Sequence, residues 1–259
     1  MSPTLNSRIL STFALVIAAF TLSAWDAFRA RPPPTHQFVL QAELSNAVSP
    51  DGQASAVEST MAVLEGRLEQ MGTPVHSIAH QGEGRIVLAT SGEDSPQTVR
   101  TAIGRRGELS FLKVDDRALP ENTYSGIANP GSKILPLADG MGPIAVKRLG
   151  GISGDRVEQA QMGYNRYTNE PVVNLLFDER GGELFARLST QHVGQQFAIV
   201  IDDTVVSAPF FSEPILGGQA EISGGFTAKE AQELAVALGS GALPVDVELV
   251  FERTIPAGE

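Results

Sequence analysis

The chain has 259 residues, of which 42% are hydrophobic, and it carries 30 acidic against 19 basic side chains, a formal net charge of −11. This apolar content is enough for a sizeable folded core and excludes a disordered chain, while the acidic balance disfavours nucleic acid as a partner. No cysteine is present, so the sequence excludes a disulfide framework and any thiolate site.

The first predicted element is an apolar segment from Ile9 to Phe28. Its apolar part is about 16 to 20 residues long, which lies between the core of a signal peptide and a full membrane span. Residues 1–30 are interpreted as a short N-terminal tip and a single transmembrane anchor, with a signal peptide cleaved after Ala24 as the alternative. The proline run that follows predicts a stiff, extended spacer over residues 31–36.

The next stretch alternates strand and helix patterns up to Asp115. Apolar residues recur with period 2 in the strands and with period 3.6 in the helices. The predicted elements are, in chain order, strand Phe38–Leu44, helix Gly52–Met71, strand Val75–His80, strand Arg85–Thr90, helix Pro96–Gly104 and strand Glu108–Val114. This β-α-β-β-α-β order is typical of a ferredoxin-like layer of helices on an antiparallel sheet, so the fold class is α+β.

From Asp115 to Gly150 the periodicity fades among prolines and glycines, which predicts a loop and a boundary. A second α+β block follows, in which Asp202-Asp203 fits a hairpin turn although it lacks the favoured glycine. Its predicted elements are helix Asp155–Gln161, strand Val172–Phe177, helix Gly182–His192, strand Phe197–Ile201 and strand Thr204–Ser207.

The last elements lie between Ala220 and Arg253. Thr227 and Glu230 have the spacing of a capping box, in which each residue satisfies a backbone donor at a helix start. A helix is therefore predicted from about Ala228, with glycines to end it and Pro244 to prevent it from resuming. A strand is predicted after it, whose apolar face consists of Val245, Val247, Leu249 and Phe251.

Two residue patterns have the composition of reactive sites but not the context. His76 and His80 have the spacing of two metal ligands on a helix, but they lie on a predicted strand. Ser223 lacks a G-x-S-x-G elbow, and His192 has no recognisable partner residues. The sequence therefore predicts no catalytic residue, no metal ligand and no cofactor, and an enzyme is the least favoured class.

Adjacent aromatic residues, Phe210 and Phe211, follow a Ser-Ala-Pro turn and precede Pro214. Core packing is the favoured place for a phenylalanine. A loop that holds two aromatic rings between prolines also suits an apolar contact for an extended chain. Phe210 and Phe211 are therefore the candidate polypeptide-contact residues, with core packing as the alternative.

The segment from Ala220 to Arg253 also carries a family signature. It reads I-S-G-G-F-T, then a helix, then G-A-L-P and an E-R-T tail, and it resembles the end of the first extracytoplasmic domain in the SecD family of Sec translocation subunits. The resemblance covers about residues 36–259 and is weakest from 116 to 148. The matching residues with a structural role in the signature are Gly224, Phe226, Thr227, Gly241, Ala242, Leu243 and Pro244.

The resemblance implies that the tip of residues 1–30 is cytoplasmic and that the anchored body lies on the periplasmic side of the bacterial inner membrane. It implies a ferredoxin-like base lobe, residues 37–115 plus 220–259, with an inserted α+β head lobe, residues 116–219. The expected partners are unfolded or translocating polypeptide, and Sec translocon subunits or a separate SecD/SecF-like membrane protein. A complete SecD continues into further membrane helices, so this polypeptide is expected to have no proton coupling of its own. The alternative is an envelope adaptor that keeps the fold without export activity.

Overall fold

The structure is a computed structural model that describes residues 33–45, 49–148 and 151–256. The predicted anchor from Ile9 to Phe28 and the first residues of the spacer lie outside this described part. Among the helices within it, none is both long and apolar enough to cross a bilayer. The single-pass anchor therefore stays a prediction from the sequence.

The first sheet has four antiparallel strands, in the order Val247–Thr254, His36–Ala42, Arg85–Thr90 and Val75–His80. Phe38 and Leu40 of its central strand pack against Leu64 and Leu68 of a covering helix, and this cluster is called the first core. The β-α-β-β-α-β arrangement is the predicted ferredoxin-like one. Its elements are β1 (His36–Ala42), α1 (Pro50–Gln70), β2 (Val75–His80), β3 (Arg85–Thr90), α2 (Ser95–Gly104) and β13 (Val247–Thr254).

The strand that completes this sheet is not the predicted one. The order of elements predicted Glu108–Val114 as its last strand, but that segment forms β4 (Leu109–Lys113) in a different sheet. The place beside β1 is taken by β13, with His36 opposite Thr254. Both segments have the residue pattern of a strand, and a local pattern does not determine which sheet edge a strand will join.

A second core is formed by two further sheets and two helices. One sheet has four strands, in the order Thr204–Ser207, Phe197–Ile201, β4 and Ile152–Ser153. The other has three, in the order Gln219–Ile222, Pro171–Phe177 and Val157–Tyr164. Phe111, Phe177, Phe185 and Phe197 lie at the centre of this second core. The elements that join β4 are β7 (Ile152–Ser153), β8 (Val157–Tyr164), β9 (Pro171–Phe177), α4 (Glu179–Gln191), β10 (Phe197–Ile201), β11 (Thr204–Ser207), β12 (Gln219–Ile222) and α5 (Ala228–Gly239).

Each of the two cores contains residues from the predicted base lobe, residues 37–115 plus 220–259. Leu109 of β4 and Leu234 of α5 are buried in the second core, although both fall in the predicted base lobe. Leu243 is buried in the first core. The chain therefore returns to the first core only after α5, and the division into base and head lobes stays a proposal.

The predicted loop between Asp115 and Gly150 contains regular structure. A short helix α3 (Pro120–Tyr124) is followed by a hairpin of β5 (Ser132–Pro136) and β6 (Pro143–Lys147). The prolines that suggested a loop stand at element ends: Pro120 opens α3, and Pro136 lies opposite Pro143 at the tip of the hairpin. The hairpin covers the outer face of β10 and β11, where Leu135 and Val146 are buried with Val200 and Val205.

The helix predicted at 155–161 is wrong. Only Gly154–Arg156 form a helical turn, of the 3-10 type, and β8 begins at Val157. Ala160 and Met162 of β8 pack against the second core, while Gln159 and Gln161 are exposed. This period-2 alternation is the strand pattern, and a run of eight residues was too short to distinguish it from a helix by sequence.

Two strand irregularities depend on backbone geometry. Asp202 and Asp203 form the predicted hairpin turn with φ of 48° and 58°, a region that glycine or asparagine adopts more readily. In β13 the pairing shifts between Leu249 and Phe251, because Val250 is an extra residue opposite β1. The bulge turns the ring of Phe251 outward, where it is 48% exposed. The prediction that Phe251 shares one apolar face with Val247 and Leu249 is therefore wrong.

Candidate functional site

The loop that carries the candidate aromatic residues is fixed to the start of β10. The side-chain amide of Gln196 donates to the carbonyl of Ala208 at 2.7 Å, and the backbone N–H of Phe197 donates to the carbonyl of Pro209 at 2.9 Å. Gln196 and Phe210 also form an isolated antiparallel bridge. The loop is therefore an extension of the sheet, and its side chains have set directions.

The two aromatic residues have opposite environments, because successive side chains of an extended segment point to opposite sides. Phe211 is 6% exposed, with its ring centroid 4.8 Å from that of Phe197 and 5.9 Å from that of Phe185. Phe210 is 63% exposed. Phe211 is thus a core residue, and only Phe210 of the two candidates offers its ring to a partner.

A second exposed apolar side chain lies in the segment that pairs with this loop. Val193 is 46% exposed, and the next residue, Gly194, donates its backbone N–H to the carbonyl of Phe211 at 2.8 Å. The segment is held at its base by His192, whose Nδ1 lies 2.7 Å from Oε1 of Gln195. Phe210 and Val193 therefore lie on two segments whose backbones are held by hydrogen bonds to each other and to the sheet. Because these segments are already ordered, little conformational entropy is lost when a partner binds.

The residues of the two rejected site patterns lie apart. His76 and His80 stand on the edge strand β2, and Ser223 is exposed after β12. Across the described ranges there is no group of three or more His, Asp, Glu or Cys residues arranged to hold a metal ion. The structure brings none of these residues together.

The capping box predicted at the start of α5 is confirmed. The backbone N–H of Glu230 donates to Oγ1 of Thr227 at 3.2 Å, and the backbone N–H of Thr227 donates to Oε2 of Glu230 at 2.8 Å. The hydrogen bonds from Thr227, chiefly from its backbone, hold the pKa of the Glu230 carboxyl below its ordinary value. The signature residue Thr227 therefore stabilises the start of α5.

The other signature residues lie just before and just after α5, where the chain passes from the second core to the first. Phe226 packs against the second core, and a side chain at Gly224 would collide with its ring. Gly241 ends α5 with a φ of 85°, Leu243 is buried in the first core, and Ala242 and Pro244 beside it are exposed. The signature is therefore explained by the chain path and implies no chemistry.

Thr227→Ala is expected to lower the free energy of unfolding by about 0.5–2 kcal/mol, because it leaves a backbone donor at the start of α5 without its cap. Urea denaturation of the full chain, followed by circular dichroism, measures the change. Thr168→Ala, on the exposed β8–β9 turn, is the control. An unchanged urea midpoint for Thr227→Ala would show that the cap contributes nothing to stability.

Arg67 is a buried charge that connects three helices. It lies on the buried face of α1 and is 1% exposed. Its guanidinium donates to the carbonyls of Ala102, Arg105 and Arg106 at the end of α2. At the end of α5 it donates to the carbonyls of Ala237 and Gly241 and to the side-chain hydroxyl of Ser240. Burial lowers the pKa of Arg67 to about 10, against the opposing effect of Asp202.

The position of Arg67 explains a nearby glycine. Gly107 has a φ of 80°, and a Cβ there would lie 2.8 Å from both Nη2 of Arg67 and the carbonyl oxygen of Ala237. The C-terminal ends of helices carry partial negative charge, so two of them compensate the arginine in place of a carboxylate. An arginine on an otherwise apolar helix face, beside Leu64 and Leu68, is the sequence signal that could have revealed this role.

Asp115 is a second buried charge, at the point where β4 leads into the α3 segment. Its side chain is fully buried, and Oδ2 accepts from Nζ of Lys147 at 2.8 Å, Oγ of Ser132 at 2.6 Å and Nδ2 of Asn129 at 3.1 Å. The Lys147 and Ser132 hydrogen bonds hold the pKa of the Asp115 carboxyl far below its ordinary value. Asp115 thus fastens the β5–β6 hairpin to the second core.

Two family models match adjacent parts of the chain. One is described as the N-terminal part of the P1 domain of the protein translocase subunit SecDF and matches residues 57–116. The other is described as the SecDF P1 head subdomain and matches residues 132–245. The second match contains α5 and the strands that pair with β4, but β4 itself lies in the first match. Residues 117–131, which include α3, fall in neither match.

Curated relatives match over most of this chain but over less than half of their own length. The SecD subunit of Magnetococcus marinus is 34% identical over 207 residues, which are 77% of this chain and 39% of that protein. The SecD subunit of Calditerrivibrio nitroreducens is also 34% identical, over 77% of this chain and 41% of that protein. The chain therefore spans about two fifths of the length of the relatives it matches.

Solved structures of SecDF have the same fold. One, of SecDF in a super-membrane-facing form, superposes on 96% of this chain and 35% of its own chain, with a TM-score of 0.65 and 25% identity. Another, reported for a membrane component SecDF that enhances protein export, is covered completely and superposes on 85% of this chain, with a TM-score of 0.64 and 27% identity. By sequence, by both domain matches and by fold, the chain belongs to the SecD family and corresponds to its P1 region.

Proposed function

We propose that this chain assists protein export as a membrane-anchored SecD-type body outside the cytoplasm, and that it does so by contacting translocating polypeptide or a translocase partner. The anchor is the segment from Ile9 to Phe28, and the membrane is the bacterial inner membrane. The membership in the SecD family supports this role. The role of the whole protein in export is carried over from relatives of which this chain spans only part.

The observation that supports a contact with polypeptide is the exposed ring of Phe210. An aromatic side chain 63% exposed on a loop fixed to a sheet is a cost to the free protein, because its apolar surface remains in water. A partner that covers the ring recovers that free energy without first ordering the loop. An unfolded client with scattered apolar side chains is suited to such a contact, and a small contact area implies weak affinity.

The buried ionisable side chains support a binding role over proton movement. In the described ranges, the charged residues classed as buried are Arg67 and Asp115. Arg67 is held by helix carbonyls and Asp115 by Lys147, Ser132 and Asn129, so each has a structural task. We therefore assign to this body the binding of polypeptide, without proton coupling of its own.

Phe210→Ser is expected to weaken the binding of an unfolded, non-refolding polypeptide about tenfold, because one half-exposed aromatic ring contributes roughly that factor. The measurement is a fluorescence-anisotropy titration of the labelled client with the full chain. Phe251→Ser is the matched control, since it removes an aromatic ring of similar exposure from β13. Equal loss of affinity in both variants would mean that the ring at 210 has no special role.

A photo-crosslinking residue at position 210 extends this test to intact cells. Crosslinks to exported precursors during translocation are expected from position 210 and not from position 251. Crosslinks to envelope proteins alone, with no precursor among them, would contradict the export role and favour the adaptor interpretation.

A further inference from the structure

The outer face of the β8–β9–β12 sheet carries a two-by-three grid of side chains. Residues paired across antiparallel strands project to the same face of a sheet. The neighbours Val173 and Leu175 of β9 point the other way, into the second core. The rows of the grid are Gln161, Asn174 and Glu221, and beside them Gln159, Leu176 and Gln219.

The grid forms the floor of an open cleft. Its six side chains line a cavity of about 460 Å³ on this face. Leu176 is half-buried, and the other five are exposed. Asn174 lies over Gly163 of β8, where any larger residue would collide with its amide group. The lack of a side chain at Gly163 therefore leaves room for the Asn174 amide in the row with Gln161 and Glu221.

The amide groups of this cleft are free to bind. Nowhere in the described part of the chain does a hydrogen bond engage the side chains of Gln159, Gln161, Asn174 or Gln219. Glu221 is the exception in the grid, since Nδ2 of Asn165 donates to its Oε1 at 2.8 Å. Each free amide offers both donor and acceptor groups. The cleft thus presents paired donors and acceptors with a single charge.

We propose that this cleft holds an extended stretch of polypeptide through its backbone groups. A peptide group has one N–H donor and one C=O acceptor, which a side-chain amide complements. Gln159 and Gln161 are two residues apart on β8, an interval of about 6.8 Å. An extended chain lying along β8 presents similarly directed peptide groups at the same interval, so both amides meet equivalent groups.

The composition of the grid selects this ligand over others. Backbone groups are common to all polypeptides, so a cleft that reads them accepts clients of any sequence. Glu221 and the lack of a basic side chain among the six disfavour anionic ligands. None of the six is aromatic, so the grid has no ring on which a sugar could stack. The inference rests on the proposed function and deepens it by adding a contact surface separate from Phe210.

The test uses one fluorescent peptide rich in Gly, Ser and Asn, in two forms. One form has an ordinary backbone and the other an N-methylated backbone, which removes the N–H donors and keeps the side chains. The full chain, a Gln159→Ala/Gln161→Ala double variant and a Gln232→Ala control are titrated with both. Gln232 is an exposed amide on α5, away from the grid, and urea midpoints verify that all three proteins are folded.

The ordinary peptide is expected to bind the double variant about tenfold more weakly than the wild type or the control, the effect of two neutral hydrogen bonds. The N-methylated peptide is expected to bind the wild type with the same low affinity. Equal binding of both peptides by the wild type, or unchanged binding by the double variant, would overturn the proposal. The wild-type comparison of the two peptides is decisive even if the double variant is unstable.

The unfolded apolar client separates this inference from the proposed function. If its binding depends on Phe210 and the Gly/Ser/Asn peptide does not bind, the cleft is rejected and the proposed function stands. If the wild type binds neither the client nor the peptide, both are rejected. If the Gln159→Ala/Gln161→Ala variant loses affinity for the Gly/Ser/Asn peptide while the Phe210→Ser variant keeps it, the cleft is supported as a separate surface.

Discussion

Replacing Arg67 with methionine is expected to lower the free energy of unfolding by about 3–5 kcal/mol. Methionine fills much of the same space but donates no hydrogen bond. The buried carbonyl of Ala102 at the end of α2 and the partly buried carbonyl of Gly241 after α5 would then lose the donor that Arg67 supplies. The loss exceeds that of an ordinary surface substitution because several acceptors lose one shared partner.

Arg100→Met is the matched control for this prediction. Arg100 lies on α2, pairs with Glu252 and is 49% exposed, so its loss is expected to cost less than about 1 kcal/mol. Arg67→Lys should be intermediate in stability, because an ammonium group keeps the charge but cannot reach both helix ends. Urea denaturation gives the three values. A cost for Arg67→Met within 1 kcal/mol of that for Arg100→Met would refute the assigned role.

Asp115→Ala is expected to lower the free energy of unfolding by about 3 kcal/mol. It removes the acceptor of Ser132 and Asn129 and the charged partner of Lys147, which keeps only the hydroxyl of Ser132. Lys147 is partly exposed, so water compensates some of the loss. Asp116→Ala is the control, because Asp116 is the exposed neighbour. Similar unfolding free energies for the two variants at pH 7 would show that the buried network is not stabilising.

The contribution of Asp115 is expected to depend on pH. Its pKa is depressed in the folded chain and about 3.9 in the unfolded chain, so the unfolded state takes up the proton first. The stabilisation is therefore complete above about pH 5 and falls as the pH decreases below about 4, by up to about 1.4 kcal/mol per pH unit. The stability difference between wild type and Asp115→Ala should narrow from pH 5 to pH 2. A constant difference over that range would contradict the depressed pKa.

The elements that the sequence predicts well are those whose signals are local. Helix α1, strands β2 and β3, and the capping box at Thr227 lie close to their predicted positions. Periodicity and capping involve residues within a few positions of each other, so the chain itself contains the information. The helix predicted at 155–161 is wrong because the strand is short and because a bulge after Val157 interrupts its alternation.

The candidate site illustrates the limit of local reasoning. The sequence places Phe210 and Phe211 together in one aromatic pair, and only their pairing with the segment before β10 assigns one ring to the core and the other to the surface. The amide cleft was not predicted at all. Gln161, Asn174 and Glu221 come from three strands, and no local pattern shows that they share a row.

By itself, the sequence determined the α+β class, most of the helices and strands, the turn at Asp202-Asp203 and the family signature. Tertiary structure alone decided which strand completes the first sheet, the inclusion of β4 and α5 in the second core, the burial of Asp115, and which helix ends Arg67 binds. Periodicity reports how one element divides its residues between core and solvent. The partner of that element depends on contacts between residues far apart in the chain, such as His36 with Thr254, and those are fixed only when the whole fold is packed.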